Sequence, residues 1–210
     1  MSYKLRLFPL NVVLFPYTKL SLHIFEERYK IMIKHCLEDD SKFGVVLIKS
    51  GREVGGDAEP FSVGTVARIA SFKKLDEGRM SLTVVGEKRF QITSLLHSMP
   101  YLEAFVGKYD DTHSEFDQDD IMEAREALSN YIQILQRLIG GWTSDNDIPK
   151  DPVSLSYYIG DILRVNSVDK QGLLEECSIR TRILKATKIV RNHSDKLNQL
   201  LSAELKRSSN

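Results

Sequence analysis

Two Phe-Pro pairs, Phe8-Pro9 and Phe15-Pro16, bracket the apolar run 10–15 near the start of the chain. Proline fixes φ and has no N–H to donate, so each pair ends strand pairing and turns the backbone. The run between them reads as a short buried strand set between two corners. A second strand over residues 20–25 passes directly into a helix, with Glu26 and Glu27 in the first turn, where the positive end of the helix dipole favours carboxylates. Phe25, Tyr29, Met32, Ile33, Cys36 and Leu37 continue as a helical stripe that must pack back on the strands. Phe15, Pro16, His23, Phe25, Glu26, Arg28 and Tyr29 therefore form a structural corner, with His23 and Glu26 expected to hold it by hydrogen bonds. A metal-ligand reading of His23-x-x-Glu26 lacks a third and a fourth ligand nearby.

Beyond the corner, residues 43–48 are a continuous apolar run, as in a strand buried on both faces. The stretch 51–60 is rich in glycine and charge and reads as a mobile surface loop. Residues 64–75 and 79–92 flank Asp76-Glu77-Gly78, where glycine supplies the positive φ of a hairpin turn. Met80, Leu82 and Val84 alternate with polar neighbours in the second arm, and Gly86 interrupts the alternation, which indicates a bulge or a barrel corner. Leu102, Ala104 and Val106 complete a last strand. An acidic, aperiodic segment at 110–120 marks a boundary, giving a β-rich part over 1–110 and a helical part over 111–210. Helices are expected from Ile121 to a Gly140-Gly141 stop, after Asp151-Pro152, after Ser167 or Asp169, and after Ser178.

Phe8-Pro9-Leu10, Phe15-Pro16, Leu22-His23-Ile24-Phe25-Glu26, Arg28-Tyr29, Phe43-Gly44-Val45, Gly64-Thr65-Val66, Gly78-Arg79 and Arg89-Phe90, in this order, resemble the amino-terminal domain of the Lon protease family. Tyr17 stands where a glycine commonly follows Phe-Pro, and Ser21 where a proline commonly sits. The helical part resembles the family more weakly, through apolar spacing. This resemblance implies an α+β fold: a PUA-like pseudo-barrel with one inserted helix, followed by a bundle of about four helices. It further implies a stand-alone polypeptide-recognition module without the ATPase and Ser-Lys peptidase modules, hence no enzyme.

Composition and motif chemistry narrow the field. Lys plus Arg and Asp plus Glu both number 29, so the formal charge is zero, and the footprint of a general nucleic-acid binder is missing. An RNA-binding alternative rests on Arg68, Lys73, Lys74, Arg79, Lys88 and Arg89, interleaved with Asp76, Glu77 and Glu87. Gly51 and Gly56 have the glycine spacing of a phosphate loop, but Asp57 and Ala58 follow where lysine and a hydroxyl residue are required. His35-Cys36 suggests a nucleophile, yet Cys36 lies on the apolar stripe and reads as core. Two distant cysteines fit a reducing cytoplasm, the start lacks a signal-peptide pattern, and no apolar stretch reaches membrane-spanning length. The basic run Arg180, Arg182, Lys185, Lys188 and Arg191 reads as a solvated helix face.

These eliminations leave apolar surface. Phe72, Leu75 and Met80 crowd the hairpin tip, and Trp142, in a loop, is either a cap on the core or a binding anchor. The expected site is an apolar groove between the two parts that takes unfolded or partner polypeptides. No cofactor or metal is implied, and self-association is a further expectation.

Overall fold

Proline at position 9 does not stop the first strand. In the computed structural model, which describes residues 2–55, 58–112, 117–139 and 148–208 (side chains to 202), β1 runs Tyr3–Leu10 through Phe8-Pro9. Pairing of β1 with β6 covers only Tyr3 to Arg6, while pairing with β3 covers Leu7 to Leu10. Pro9 thus has a ladder on one side only, where its missing N–H costs no bond. The expected strand over 10–15 is therefore displaced: residues 11–18 are irregular, and Leu14 and Phe15 are buried from a loop.

The remaining elements follow as β2 (Lys19–Ile24), α1 (Glu27–Glu38), β3 (Lys42–Gly51), β4 (Ala58–Lys74), β5 (Met80–Leu96), β6 (Glu103–Lys108), α2 (Gln118–Ile139), α3 (Pro152–Ile162), α4 (Ser167–Glu175) and α5 (Ile179–Ser208). This is an α+β chain with a six-stranded sheet and five helices among the described residues. The sheet order is β2-β5-β4-β3-β1-β6, and β6 also pairs with β5, so five strands close on themselves and β2 adds to the outside of β5. Long β5 makes closure possible: residues 80–85 pair with β2, and 90–96 with β6. One extra β5 residue between Gly86 and Arg89, against Thr65 and Ala67 of β4, bends it at the expected bulge.

Tertiary contacts divide the chain into two units. The first joins the strands and α1 to Arg164–Glu175, so α4 clusters with the strands although the sequence reading places all of 111–210 in the helical part. Hydrogen bonds tie α4 there: Ser167 Oγ donates to the Asn11 carbonyl (2.7 Å), Gln171 Nε2 to Val63 (3.0 Å), Arg89 Nη1 to Leu174 (2.6 Å) and the Tyr109 hydroxyl to Glu175 (2.8 Å). The last two satisfy carbonyls that a helix end leaves without partners. Its first turn is capped by Asn166, whose Oδ1 accepts from the Asp169 N–H at 2.8 Å, not by Ser167 or Asp169.

Two apolar clusters fill the strand-rich unit. Phe8, Tyr29, Met32, Cys36, Phe43 and Leu82 belong to one; Leu7, Val46, Val66, Phe90, Ala104 and Val106 to the other. The Phe90 ring occupies the space that glycine leaves at two neighbouring strand positions. A Cβ on Gly44 would meet its Cζ at 2.6 Å, and one on Gly64 would meet it at 2.7 Å.

In the second unit α2, α3 and α5 pack together. Asp151 caps α3, accepting from the Ser154 N–H at 2.8 Å with Pro152 in the first turn. Ser178 Oγ accepts from the Thr181 N–H at the start of α5. The basic run on α5 is the solvated face expected of it at Arg180, Lys185, Lys188 and Arg191, and departs from it at Arg182. Arg182 is fully buried, Arg180 pairs with Asp120, Lys185 with Glu176, and Arg191 with Glu123. Trp142 and the Gly140-Gly141 stop lie outside the described residues.

Candidate functional site

The corner that opens the sequence is built around a backbone contact. Gly86, at the β5 bend, donates to the Thr18 carbonyl and accepts from the Tyr17 N–H. A Cβ there would lie 2.2 Å from the Phe15 carbonyl oxygen, so only glycine allows the approach. The Thr65 hydroxyl donates to the Leu14 carbonyl at 2.6 Å and fixes the loop from the other side. Tyr17 takes φ 68° where the family pattern has glycine.

At the strand-to-helix junction Glu26 Oε2 accepts from Arg28 Nε at 3.1 Å and from the Gly55 N–H at 3.2 Å. Arg28 also stacks over the Tyr29 ring, 4.6 Å from its centroid, and Tyr29 meets Phe8 at 4.1 Å. His23 is exposed on β2 opposite Ser81, so Glu26 and Arg28 supply the hydrogen bonds expected of His23 and Glu26. Phe25 leaves the apolar stripe: α1 starts two residues later, the backbone at Glu26 is extended, and the ring is 54% exposed.

Further along α1, Cys36 is buried, and burial pushes its thiol up to about 11, away from thiolate chemistry at neutral pH. His35, on the neighbouring face, shares a 2.8 Å hydrogen bond between Nδ1 and the Tyr101 hydroxyl. Cys36 is therefore a core side chain. Among the described residues no group of three or more His, Cys, Asp or Glu is arranged to hold a metal.

Phe72 and Met80 come together. They are diagonal neighbours near the end of the β4–β5 hairpin, Phe72 opposite Leu82 and Met80 opposite Lys74, and both are half-buried against the first apolar cluster. With Ile31 of α1 they line a recess of about 730 Å³, bordered by Lys30, Lys34 and Lys74 and by Glu27 and Glu38. Glu27 balances Lys30 at 3.4 Å. Leu75 stays outside: its N–H donates to the Arg79 carbonyl across the turn and the residue is not part of the recess lining. The helix wall of this recess carries no signal in a strand pattern. The exposed positions Lys34 and Leu37 at helical spacing from Ile31 are the trace that a sequence reading could have used.

Three of the six basic residues on the strands are engaged within the protein through hydrogen bonds or ion pairs. Arg89 is buried on α4, Arg68 pairs with Glu87 at 3.0 Å, and Arg79 with Glu77 at 3.6 Å. No helix among the described residues is long and apolar enough to cross a membrane.

The α+β arrangement is that of solved Lon amino-terminal domains. A Lon N-terminal domain protein from Xanthomonas campestris superimposes with TM-score 0.66 at 23% identity, covering 87% of this chain and 96% of its own. The N-terminal domain of Mycobacterium avium complex Lon protease superimposes with TM-score 0.67 at 17% identity, covering 91% and 100%. At the level of sequence, the chain belongs to the ATP-dependent protease La (LON) substrate-binding domain family, whose model matches residues 4–192. Lon protease 2 of Myxococcus xanthus is 29% identical over 177 residues, 82% of this chain and 21% of the relative. Lon protease of Escherichia coli K12 is 24% identical over 177 residues, 82% and 22% respectively. The chain thus spans about a fifth of the length of these curated relatives.

Proposed function

We propose that this chain is a non-catalytic recognition module that binds unfolded or extended polypeptides at the recess between α1 and the β4–β5 hairpin. The observation that carries the reading is the half-buried Phe72–Met80 pair facing Ile31 across an open recess, in a chain of a substrate-binding family. Burial of an incoming apolar side chain there supplies affinity of about 25 cal/mol per Å² removed from water, before ordering costs. In this reading the closed strands are a PUA-like pseudo-barrel, α2, α3 and α5 are a small helical bundle, the two units correspond broadly to the β-rich and helical parts, and the chain acts in the cytoplasm. The engagement of Arg68, Arg79 and Arg89 within the protein supports polypeptide over RNA as the ligand.

Fluorescence titration of a thiol-blocked, denatured protein tests the reading. Saturable binding in the range up to about tens of micromolar is expected, nearly independent of salt. The double variant Phe72→Ser, Met80→Ser weakens it by about tenfold or more. Absence of saturable binding, or equal binding by the double variant, retires this site.

A further inference from the structure

Strand β2 carries a second feature, separate from the recess at the hairpin. Among the described residues it pairs with β5 alone, and its six residues match β5 in unbroken register from Lys19↔Val85 to Ile24↔Met80. The Gly86 N–H donates to the Thr18 carbonyl just before β2. Antiparallel ladders alternate, so Leu20, Leu22 and Ile24 exchange bonds with β5 while the N–H and C=O groups of Ser21 and His23 face the open side. Edge strands are commonly protected by a proline, a bulge or an inward charge. β2 has neither proline nor bulge, its inward residues are Leu20, Leu22 and Ile24, and its one lysine, Lys19, stands at its very start.

Beside this edge lies a recess of about 270 Å³. Three exposed apolar side chains from three segments surround it: Val12 (44% exposed), Phe25 (54%) and Val54 (54%). Its lining also holds Glu26 and Glu53, without a lysine or arginine. The Glu26 carboxylate is bound to Arg28, which also donates to the Glu53 backbone carbonyl at 3.3 Å, whereas the Glu53 carboxylate takes the Asn11 N–H at 3.1 Å. The recess at the hairpin, by contrast, has three lysines beside Glu27 and Glu38.

We propose that the open edge of β2 binds an extended polypeptide segment as an added strand, one with apolar residues at alternate positions and a lysine or arginine among them. The inference rests on the polypeptide-binding reading above and places main-chain recognition at a different surface. Ser21 and His23 supply backbone donors and acceptors, Val12, Phe25 and Val54 receive alternate side chains, and Glu53 attracts the cation. Main-chain bonding accepts many sequences, and the side-chain pockets set the preference.

The test uses the full chain and a fluorescein-labelled peptide of alternating valine and lysine, with a second peptide N-methylated on alternate amides. The parent peptide binds saturably, the methylated one at least about tenfold more weakly, since each lost backbone bond removes roughly a factor of five. Ser21→Pro removes one edge donor without touching the β5 ladder and produces a similar loss, and Glu53→Gln reduces both affinity and its salt dependence. Equal binding of the two peptides overturns the proposal, and does so even should Ser21→Pro fail to fold. Binding that is lost in Phe72→Ser, Met80→Ser and retained in Ser21→Pro also overturns it while leaving the hairpin recess in place. Failure of both the peptide and the denatured protein to bind overturns both. Self-association abolished by Ser21→Pro, without peptide binding, would assign the edge to a second copy of the chain and sink the proposal.

Discussion

Arg182 donates from Nη1 to Oδ1 of Asp111 at 2.7 Å, with the arginine side chain wholly buried and the aspartate 21% exposed. The same guanidinium donates from Nε to Ser156 Oγ at 2.9 Å and from Nη1 to the Glu176 carbonyl, and lies 4.1 Å from the centroid of Tyr157. One side chain thus joins the start of the second unit to α3 and α5. Removing one partner of a buried ion pair strands the other without its counter-charge.

Arg182→Ala is therefore expected to lower stability by about 3–5 kcal/mol, read from urea denaturation midpoints. Arg180→Ala, which breaks a half-exposed pair with Asp120, should shift stability by less than about 1 kcal/mol. Equal effects of the two substitutions would contradict the burial of Arg182.

At the β5 bend, Gly86→Ala places a methyl group against a backbone carbonyl that cannot move without opening the Phe15 corner. A loss of about 3 kcal/mol is expected. Gly107, also on a strand, has nothing within 4 Å of an added Cβ, so Gly107→Ala should stay within about 0.5 kcal/mol of the parent. Thermal melts of the two variants provide the comparison.

Tyr17 pays a conformational penalty at φ 68° while its side chain is 61% exposed. Tyr17→Gly should raise stability by about 1 kcal/mol, the cost of a left-handed backbone in an L-residue less the added entropy of the unfolded chain. A lower melting temperature would show that the exposed ring makes a contact worth more than the backbone strain.

Alkaline pH should destabilise the first unit. Burial raises Cys36 from 9.0 to about 11 and Tyr29 from 10.0 to about 12. A raised folded-state value means that the native protein holds the proton more tightly than the unfolded chain does. The associated stability is full below the unfolded values and is lost as pH rises through the folded ones. The melting temperature should fall from pH 9 toward pH 11 and beyond, and fall less steeply in Cys36→Ala. In the native state at pH 8 a thiol reagent should modify the partly buried Cys177 faster than the fully buried Cys36.

Much of the local structure is legible in the residue order. Phe43 to Leu47 are all buried on β3, as a continuous apolar run requires, and Met80, Leu82 and Val84 turn inward together. Phe72 and Met80 could be singled out because alternation at a hairpin tip exceeds what the turn can cover. Phe25 could not be placed, because its helical spacing to Tyr29 is cancelled by one extended residue at Glu26. Ile31 and the lysines complete the recess from α1, and nothing near them in sequence indicates the strand they face.

The sequence by itself determined the elements whose causes lie within a few residues: the Gly78 turn, the Asp151 cap with Pro152, and the strand and helix periods. Those features follow from φ restriction, capping and side-chain direction, which act locally. Tertiary structure alone decided that β6 returns to β5, that α4 clusters with the strands, and that Arg182 is buried. Each of these depends on a partner far along the chain, such as Asp111 at a separation of 71 residues. An arginine stem packs on a core or lies along a surface with the same local conformation, so only its distant neighbours distinguish the two.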